Sequence, residues 1–429
     1  MADQLAGVSG GPSTAPHTRV LVASLIGTGI EFYDFYVYTT AAALVFGQLF
    51  FPGASKSAQQ LAAFATIGVA FFARPLGSIF FGHFGDRIGR KSTLVASLLT
   101  MGLSTTLVAF LPTYAAIGWP AAALLCLLRF GQGFGLGGEW GGAALLAVEH
   151  APPGWRARYG MFPQLGAPVG FIAANGLFLL LGLWLTPDQF RDWGWRVPFV
   201  LSVLLVGIGL WIRLRLAETP EFAASLEEGP PPSIPFAELL QRHGGTLMVG
   251  TLGAIACFAL YYISTAFALG YGTKTLGFSM QAMLGVQLGA ILFMALGIVA
   301  AAWMADAHWD ERRVLMAGCL GAIGCGLLMA PLMGSGSLAL LFIFLALSLL
   351  LMGFVYGPLG AWLPGLFPAR VRYTGASMAF NVAGVLGGGL TPIVAQWLST
   401  RGGLWPVGLY SSAAALISLL ALATRAARR

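Results

Sequence analysis

Charged residues are scarce in this chain, and their scarcity excludes a soluble protein. Asp, Glu, Lys and Arg together make up 9% of the 429 residues, whereas 57% of the residues are hydrophobic. The mean hydropathy is +0.80. A soluble domain carries roughly 25% charged residues because its surface faces water. The composition therefore indicates a membrane protein.

Cysteine is also rare, and no catalytic motif points to an enzyme. The four cysteines, Cys126, Cys257, Cys319 and Cys325, all fall in apolar stretches and lack the paired spacing of a disulfide framework or metal site. We interpret them as packing residues. No HExxH motif is present, and residues 133–138, which fit GxGxxG, follow no predicted strand. We therefore expect no enzyme activity, no metal and no cofactor.

Long apolar runs separated by short polar breaks fill most of the chain. Twelve runs of about 20 residues are each long enough to cross a bilayer as a helix. They are centred near residues 32, 72, 101, 135, 171, 204, 257, 291, 322, 351, 385 and 415. Backbone groups inside lipid must be hydrogen-bonded within the protein, and no ten-residue alternating pattern is present. The predicted fold class is an all-α membrane protein with twelve transmembrane helices.

Positive charge is distributed unevenly between the two ends of these helices. Of 23 Lys and Arg residues, 16 lie on the side of the chain termini, and Arg74 and Arg129 lie inside spans. The opposite side carries five: Lys56, Arg191, Arg196, Lys274 and Arg401. By the positive-inside rule, a multi-pass protein of the cell inner membrane with both termini in the cytoplasm is expected. The net charge of +7 reflects this topology, and no nucleic-acid partner is expected.

The chain repeats itself weakly at about half its length. Arg158 lies 214 positions before Arg372 in two similar stretches, and Asp86 lies 220 positions before Asp306 in two others. Two parallel halves of six helices each explain both offsets. Parallel repeats with a substrate site between them are the layout of the major facilitator fold.

The repeat divides the chain into four segments. The N-terminal half is expected at 19–217 and the C-terminal half at 236–429. A cytoplasmic linker rich in Pro and Glu joins them at 218–235. Residues 1–18 are polar and rich in Gly, Ser, Thr and Pro, so they are expected to form a disordered cytoplasmic tail.

Short motifs along nearly the whole chain carry a family resemblance. They are IEFYDF at 30–35, RPLG at 74–77, GHFGDRIGRK at 82–91, RFGQG at 129–133, GGEWGG at 137–142, WGWRVPF at 193–199, ETPEF at 218–222 and FPARVRYTG at 367–375. In this series the chain resembles the metabolite:H⁺ symporters of the major facilitator superfamily, which include shikimate, α-ketoglutarate, citrate and proline/betaine transporters. The motifs at 137–142 and 193–199 are most similar to the shikimate-transporter branch. The resemblance implies symport by alternating access.

Five ionisable residues fall inside predicted spans, where charge is costly: Glu31, Asp34, Arg74, Arg129 and Glu139. An Asp or Arg at a helix centre costs about 2.5–3.5 kcal/mol on insertion scales, and such residues are functional candidates by default. Glu31 and Asp34 are three residues apart and share one helix face, so one of them is expected to hold a proton near neutral pH. We predict Asp34, Glu31 and Glu139 as proton-coupling residues. The alternatives are a purely structural pairing of Glu31 or Asp34 with Arg74 or Arg129 and, for Glu139, a gating role.

Arg129 needs a partner outside its own helix. Glu139 is ten residues away, about 15 Å along a helix axis, which is too far for an ion pair. Arg129 and Arg74 are therefore predicted to bind the carboxylate of an anionic substrate, with interhelical salt bridges as the alternative. Polar side chains predicted to complete the pocket are Gln132, Gln164, Asn175, Tyr261, Tyr262, Tyr356 and Asn381. The same residue types also join membrane helices to one another.

The polar turn at 82–91 is predicted to be part of a gate. Asp86 lies near a helix terminus, where a carboxylate can accept hydrogen bonds from a facing helix end, while Arg87 and Arg90 stay at the cytoplasmic face. A latch for the outward-facing state and a simple topology signal both fit this pattern. Glu149 is predicted to form a similar cytoplasmic cluster with Arg156 or Arg158. The second-half echo has alanines where glycines are common, so its hairpin is expected to be less tightly latched.

Taken together, these patterns predict a monomeric secondary transporter. It would couple inward proton flow to the uptake of a small organic acid, either a shikimate-like compound or an oxo- or dicarboxylate. Its expected partners are that acid, protons and membrane lipids. Two alternatives keep the fold: symport of a zwitterion such as proline or betaine, and uncoupled uniport or exchange. A membrane enzyme or a nutrient sensor has neither a supporting motif nor a soluble output domain.

Overall fold

A computed structural model describes residues 15–53, 55–88, 90–215, 235–368 and 371–428. Across these residues the chain is helical almost throughout, and no strand occurs in them. The all-α prediction is confirmed. The first helix begins at Ala15, inside the stretch expected to be a tail. Residues 1–14 and most of the expected linker lie outside the described residues.

Twelve long helical segments, labelled α1 to α12, coincide with the twelve predicted spans. The first half contains α1 (Ala15–Ala41), α2 (Lys56–Ile88), α3 (Arg90–Val108), α4 (Pro120–Glu149), α5 (Arg156–Trp184) and α6 (Val197–Arg215). The second half contains α7 (Phe236–Lys274), α8 (Met280–Ala307), α9 (Glu311–Leu327), α10 (Leu338–Gly365), α11 (Arg372–Gly402) and α12 (Leu404–Ala423). Among the described residues, nine of these are long and apolar enough to cross a membrane. The other three, α1, α3 and α9, pack within the same bundle.

Two kinds of irregular turn fall at matching places in the two halves, whereas the π-helical turn Val385–Gly389 in α11 has no counterpart in α5. A π-helical turn occurs along the first helical segment of each half. It directly follows α1 at Ala42–Phe46 and lies within α7 at Ile263–Phe267. The fourth helix of each half is broken, because α4 divides after Leu136 and α10 divides after Tyr356. Such interruptions are tolerated in membrane helices where neighbouring helices satisfy the freed backbone groups. The shared irregularities support the internal repeat.

Polar side chains cap the first turns of some helices. The side chain of Ser279 accepts a hydrogen bond from the backbone of Ala282 at the start of α8, and Asp310 does the same for Arg313 at the start of α9. A side-chain oxygen at this position satisfies one of the backbone N–H groups left free in the first helical turn. The polar breaks in the sequence therefore determine where the helices begin.

The two halves meet at several helix pairs, and two of these pairs have the most extensive contact. Helix α5 packs against α8, and α2 packs against α11. Within the first half, α2 and α4 approach so closely that a Cβ atom on Gly133 would overlap the backbone of Ala70, and one on Gly137 would overlap the backbone of Arg74. Seven glycines lie between Gly131 and Gly142, and their missing side chains allow this close helix contact.

Candidate functional site

Asp34 is fully buried in the first half, and a serine hydroxyl lies beside its carboxyl group. Helix α1 places its carboxyl group at the centre of the half, with an exposed fraction of 0%. Neither carboxyl oxygen has a hydrogen-bond partner among the described residues. The Ser202 hydroxyl of α6 lies beside it and also lacks a partner there. The sequence singled out Asp34, but nothing in the local pattern identified Ser202 as its neighbour.

Arg129 is a buried cation held by aromatic rings. Its exposed fraction is 0%, and its guanidinium carbon lies 4.3 Å from the ring centroid of Phe35 and 4.0 Å from that of Tyr38. One nitrogen donates to the Oε1 atom of Gln132. The Nε and the other terminal nitrogen have no hydrogen-bond partner within the described chain. Ring faces stabilise a desolvated cation, but they do not neutralise its charge.

Gln132 connects this cation to the helix that carries Asp34. Its Nε2 atom donates to the backbone carbonyl of Asp34 at 2.9 Å and to the Thr105 hydroxyl at 2.8 Å, while its carbonyl oxygen accepts from Arg129. All of its contacts thus hold α1, α3 and α4 together. A movement of Arg129 would therefore shift Gln132 and its hydrogen bond to the Asp34 carbonyl.

Arg74 lies on the seam between the halves. Its Nε atom donates to Oδ1 of Asn381 on α11 at 3.0 Å, and its guanidinium lies 5.3 Å and 5.8 Å from the ring centroids of Phe71 and Phe380. Asn381 in turn donates to the Ser78 hydroxyl at 2.6 Å and to a backbone carbonyl of α4 at 2.9 Å. The two predicted pocket residues Arg74 and Asn381, 307 positions apart, are therefore in direct contact.

The other two predicted acids occupy distinct surroundings. Glu31 is buried within electrostatic reach of Arg74 and Tyr356, so it faces the seam rather than Asp34. Glu139 stands at the break in α4, where its Oε1 atom accepts from the Ser97 hydroxyl of α3 at 2.9 Å. The carboxyl group of Glu139 also acts electrostatically on Asp34. The three acids therefore have different neighbours: Ser202 for Asp34, Arg74 for Glu31 and Ser97 for Glu139.

Four predicted pocket residues hold helices together in this conformation. Gln164 of α5 accepts from the Trp140 indole at 3.1 Å and donates to the backbone carbonyl of Tyr356 at 2.9 Å. Asn175 accepts from the Thr40 hydroxyl at 2.7 Å. Tyr262 packs edge-on against the rings of α1 and α2 residues. Gln164 and Tyr356 join the two halves, whereas Asn175 acts within the first.

A small cavity lies between the halves beside these residues. Its volume is about 10 Å³, the size of one water molecule. Tyr36 and Tyr261 stack across the seam with ring centroids 5.3 Å apart. The cavity is lined by Tyr36, Thr39, Thr40, Phe171, Tyr261, Thr265, Ala266, Leu269 and Gln287. Of these, the sequence predicted only Tyr261; a Gln inside the apolar run of α8 was the available signal for Gln287. A metabolite would fit only after the halves move apart.

The cytoplasmic end, as assigned from the charge distribution, is closed by a contact between the halves. Asp306 at the end of α8 accepts hydrogen bonds from the backbone N–H groups of Ala157 and Arg158, at 3.0 Å and 2.8 Å, in the first turn of α5. The Arg158 guanidinium lies 3.7 Å from the same carboxylate and packs between the rings of Trp155 and Trp303. A carboxylate at a helix N-terminus is stabilised by the helix dipole as well as by these N–H groups.

The other predicted gate residues are only partly described. Glu149 is exposed at the end of α4, at the same end of the bundle as Asp306. The side chains of Asp86, Arg87 and Arg90 lie outside the described part of the structure, so their predicted role stays a prediction. The second-half echo was expected to be loosely latched because of its alanines. Its aspartate nevertheless docks on α5 through two backbone hydrogen bonds.

The opposite end is closed as well. Lys274 at the end of α7 donates to the Oε1 atom of Gln60 on α2, and Gln281 of α8 donates to the backbone carbonyl of Gly182 on α5 at 2.6 Å. Contacts between the halves therefore seal both ends, with the buried acids and arginines between them. The conformation is occluded.

The chain is similar to known membrane transporters over nearly its whole length. The family model described as the Major Facilitator Superfamily matches residues 24–392. The chain is 50% identical over 408 residues to the "Inner membrane metabolite transport protein YhjE" of Escherichia coli (strain K12), covering 94% of this chain and 93% of that protein. It is 39% identical over 407 residues to the "Shikimate transporter" of the same organism, with coverages of 94% and 93%.

A solved structure shares the same architecture at low sequence identity. It is that of the proton:xylose symporter XylE bound to 6-bromo-6-deoxy-D-glucose, with a TM-score of 0.73 over 95% of each chain. The identity is 17%. At this identity the likeness concerns the fold, and it confirms the two-half layout that the internal repeat predicted.

Proposed function

This chain belongs to the Major Facilitator Superfamily, and from that premise we propose that it is a proton-coupled symporter that imports a small organic acid by alternating access. It is a multi-pass membrane transporter and not an enzyme. We place it in the inner membrane as a monomer, with both termini in the cytoplasm. Its substrate class and its coupling to protons are the parts that need support from the site.

The observation that carries the proposal is a pair of buried charges without counter-charges. Asp34 and Arg129 are both fully buried in the same half, and neither makes an ion pair within the described residues. Removing a charge from water costs several kcal/mol unless a partner compensates it. A structural role would have paired these two groups with each other. Their separate environments favour a role for each in binding something that the chain itself does not supply.

Asp34 suits a proton. A buried carboxylate without a paired cation is much more costly in a membrane interior than a neutral carboxylic acid, whose O–H group can donate to the adjacent Ser202 hydroxyl. The occluded conformation therefore favours the proton-loaded acid. When the site opens to water, the carboxylate is hydrated and can release the proton. This difference between conformations is what coupling requires.

Arg129 suits the carboxylate of a substrate. A guanidinium stays charged and binds a carboxylate through two parallel hydrogen bonds, and two of the Arg129 nitrogens have their donors free for this. Arg74 lies on the seam near the cavity and supplies a second cation in the same region. An anionic substrate that enters between the halves would compensate charge that the chain leaves uncompensated. Its arrival would also be transmitted to Asp34 through Gln132.

A second candidate function is symport of a zwitterion such as proline or betaine. The observation in its favour is the aromatic lining of the cavity, because Tyr36, Tyr261 and Phe171 present ring faces that attract an ammonium group. A small organic acid is favoured over it by Arg129, because that buried cation forms no ion pair with an acid among the described residues. Uncoupled exchange would not explain why an acid is buried at Asp34 without a paired cation among the described residues.

Uptake into proteoliposomes tests the proposal. The purified protein is reconstituted and offered labelled shikimate, α-ketoglutarate, citrate, proline and betaine, with and without an imposed inward proton gradient. We expect one of the acids to accumulate only with the gradient. Accumulation of proline or betaine instead would show that the substrate is a zwitterion rather than an acid. Equal uptake in both conditions would refute coupling to protons.

The Asp34→Asn variant separates coupling from binding. It should lose gradient-driven accumulation while keeping exchange of internal for external substrate, because the amide cannot release a proton. Asp188→Asn is the matched control, since Asp188 is an exposed acid outside the buried region. If Asp34→Asn still accumulates substrate against its gradient, Asp34 is not the coupling acid.

A further inference from the structure

The outer entrance between the halves contains a cation held by a neutral amide. Lys274 ends α7 in the second half, and its ammonium donates to the Oε1 atom of Gln60, one turn into α2 in the first half. Lys274 is exposed, whereas Gln60 is only 2% exposed. The Nε2 atom of Gln60 is buried and has no hydrogen-bond partner within the described residues. This contact thus brings together a positive charge and an unused N–H donor.

No acid compensates this lysine in the described structure. The described acids at the same end, Asp188 and Asp192, both pair with Arg191. The other cations there have other contacts: Arg196 donates to two backbone carbonyls, and Arg401 lies over the ring of Trp397. Lys274 differs from these arginines, because its hydrogen bond crosses the seam between the two halves. Its charge is available to an anion.

We propose that Lys274 and Gln60 form a carboxylate-binding site at the outer entrance, where the anionic substrate makes its first contact before it reaches Arg129. The inference rests on the proposed function, since it assumes that the substrate is an acid. It adds a recognition step at the surface that is separate from the buried site.

The geometry explains how one pair of residues both closes the entrance and receives the substrate. The two side chains belong to different halves, so their contact must break when the outer end opens. Opening then leaves an ammonium and a buried amide N–H group without an acceptor, on the two walls of the entrance. A carboxylate satisfies both, because it accepts charge-assisted hydrogen bonds from either side. Once the acid has moved inward, the two residues bind each other again.

A cation at the entrance also raises the local concentration of an anionic substrate. Charges that line a cleft steer ions of opposite sign toward it, and salt weakens this attraction because the Debye length is about 8 Å at physiological ionic strength. The site therefore predicts that the KM for an acid rises with ionic strength more steeply in the wild type than in a variant without the lysine.

The test is a comparison of Lys274→Gln, Lys274→Arg and Lys56→Gln in proteoliposomes. The probe is whichever acid of the panel the wild type accumulates fastest. Lys56→Gln is the matched control, because Lys56 is the other outer lysine, begins the helix that carries Gln60, and is exposed. We expect Lys274→Gln to raise KM about tenfold, equivalent to about 1.4 kcal/mol, with a smaller change in kcat. Lys274→Arg should keep most of the wild-type KM, and Lys56→Gln should behave as the wild type.

The outcomes distinguish this inference from the proposed function. If the wild type takes up an acid and Lys274→Gln matches Lys56→Gln in KM and in salt dependence, the entrance site is refuted and the symport proposal stands. If the wild type takes up none of the acids, the proposed function fails and the entrance site fails with it. A variant protein level measured in the vesicles corrects for any loss of folded protein, and Lys274→Arg shows whether the charge rather than the side-chain length is responsible.

Discussion

Removing the carboxylate of Asp306 should open the end of the bundle at which α8 ends and α5 begins. In the occluded conformation this side chain accepts two backbone hydrogen bonds from the first turn of α5, at 3.0 Å and 2.8 Å, and is only 5% exposed. All of these partners belong to the other half. The Asp306→Ala change therefore removes interactions that exist only while this end is closed.

The size of the effect follows from those contacts. A hydrogen bond to a charged group contributes about 1.5 kcal/mol, so two contribute about 3 kcal/mol. The Arg158 guanidinium at 3.7 Å adds less, because its position is also held by the rings of Trp155 and Trp303. A change of about 3 kcal/mol shifts the balance between closed and open forms on the order of 100-fold. A protein that is 99% closed at this end would then be about half open.

Distance measurements between spin labels report this population directly. His150→Cys and His308→Cys place labels at exposed positions on the first and second halves at this end, after alanine replaces the four native cysteines. We expect Asp306→Ala to add a longer distance that the unsubstituted protein does not show. The matched control is Asp310→Ala, because Asp310 lies in the same loop but caps α9 within its own half. If the distance distribution of Asp306→Ala coincides with that of Asp310→Ala, the closing role assigned to Asp306 is wrong.

Two further predictions concern the first half. Arg129→Lys should weaken binding of the transported acid about 10- to 100-fold in equilibrium binding to the purified protein, because an ammonium lacks the planar fork that binds a carboxylate bidentately and packs between Phe35 and Tyr38. Unchanged affinity would remove Arg129 from the substrate site. Gly133→Ala should destabilise the protein by about 1–3 kcal/mol, because its Cβ atom would overlap the backbone of Ala70. A lowered Tm in detergent checks this, and Gly176→Ala, whose Cβ atom would meet no atom within 4 Å, should not lower the Tm, because alanine favours the helix where it has room.

Much of the fold could be predicted from the sequence, because hydropathy acts locally. A run of about 20 apolar residues must form a helix in lipid whatever surrounds it, so the twelve segments and the polar caps between them could be recognised one by one. The costly charges could be recognised for the same reason, since an Asp or Arg within an apolar run is conspicuous without any knowledge of its neighbours. The half-chain repeat then gave the layout of two bundles.

The partners of those charges could not be predicted, because they depend on how the helices are rotated and ordered in space. Arg74 meets Asn381 across 307 positions, and Lys274 meets Gln60 across 214. Asp306 caps a helix that begins about 150 residues earlier in the chain. Ser202 and Gln287 carried no local signal strong enough to distinguish them from polar residues that merely join helices.

The sequence by itself therefore determined that this protein crosses the membrane in two similar halves and carries buried charge, since burial in lipid depends on each segment alone. Only the tertiary structure decided which of these charges are compensated. Among the described residues it leaves Asp34 and Arg129 without counter-charges, and Asp306 and Lys274 join the two halves at opposite ends of the bundle. Compensation is a property of pairs of helices, and a pair is formed only when the bundle folds.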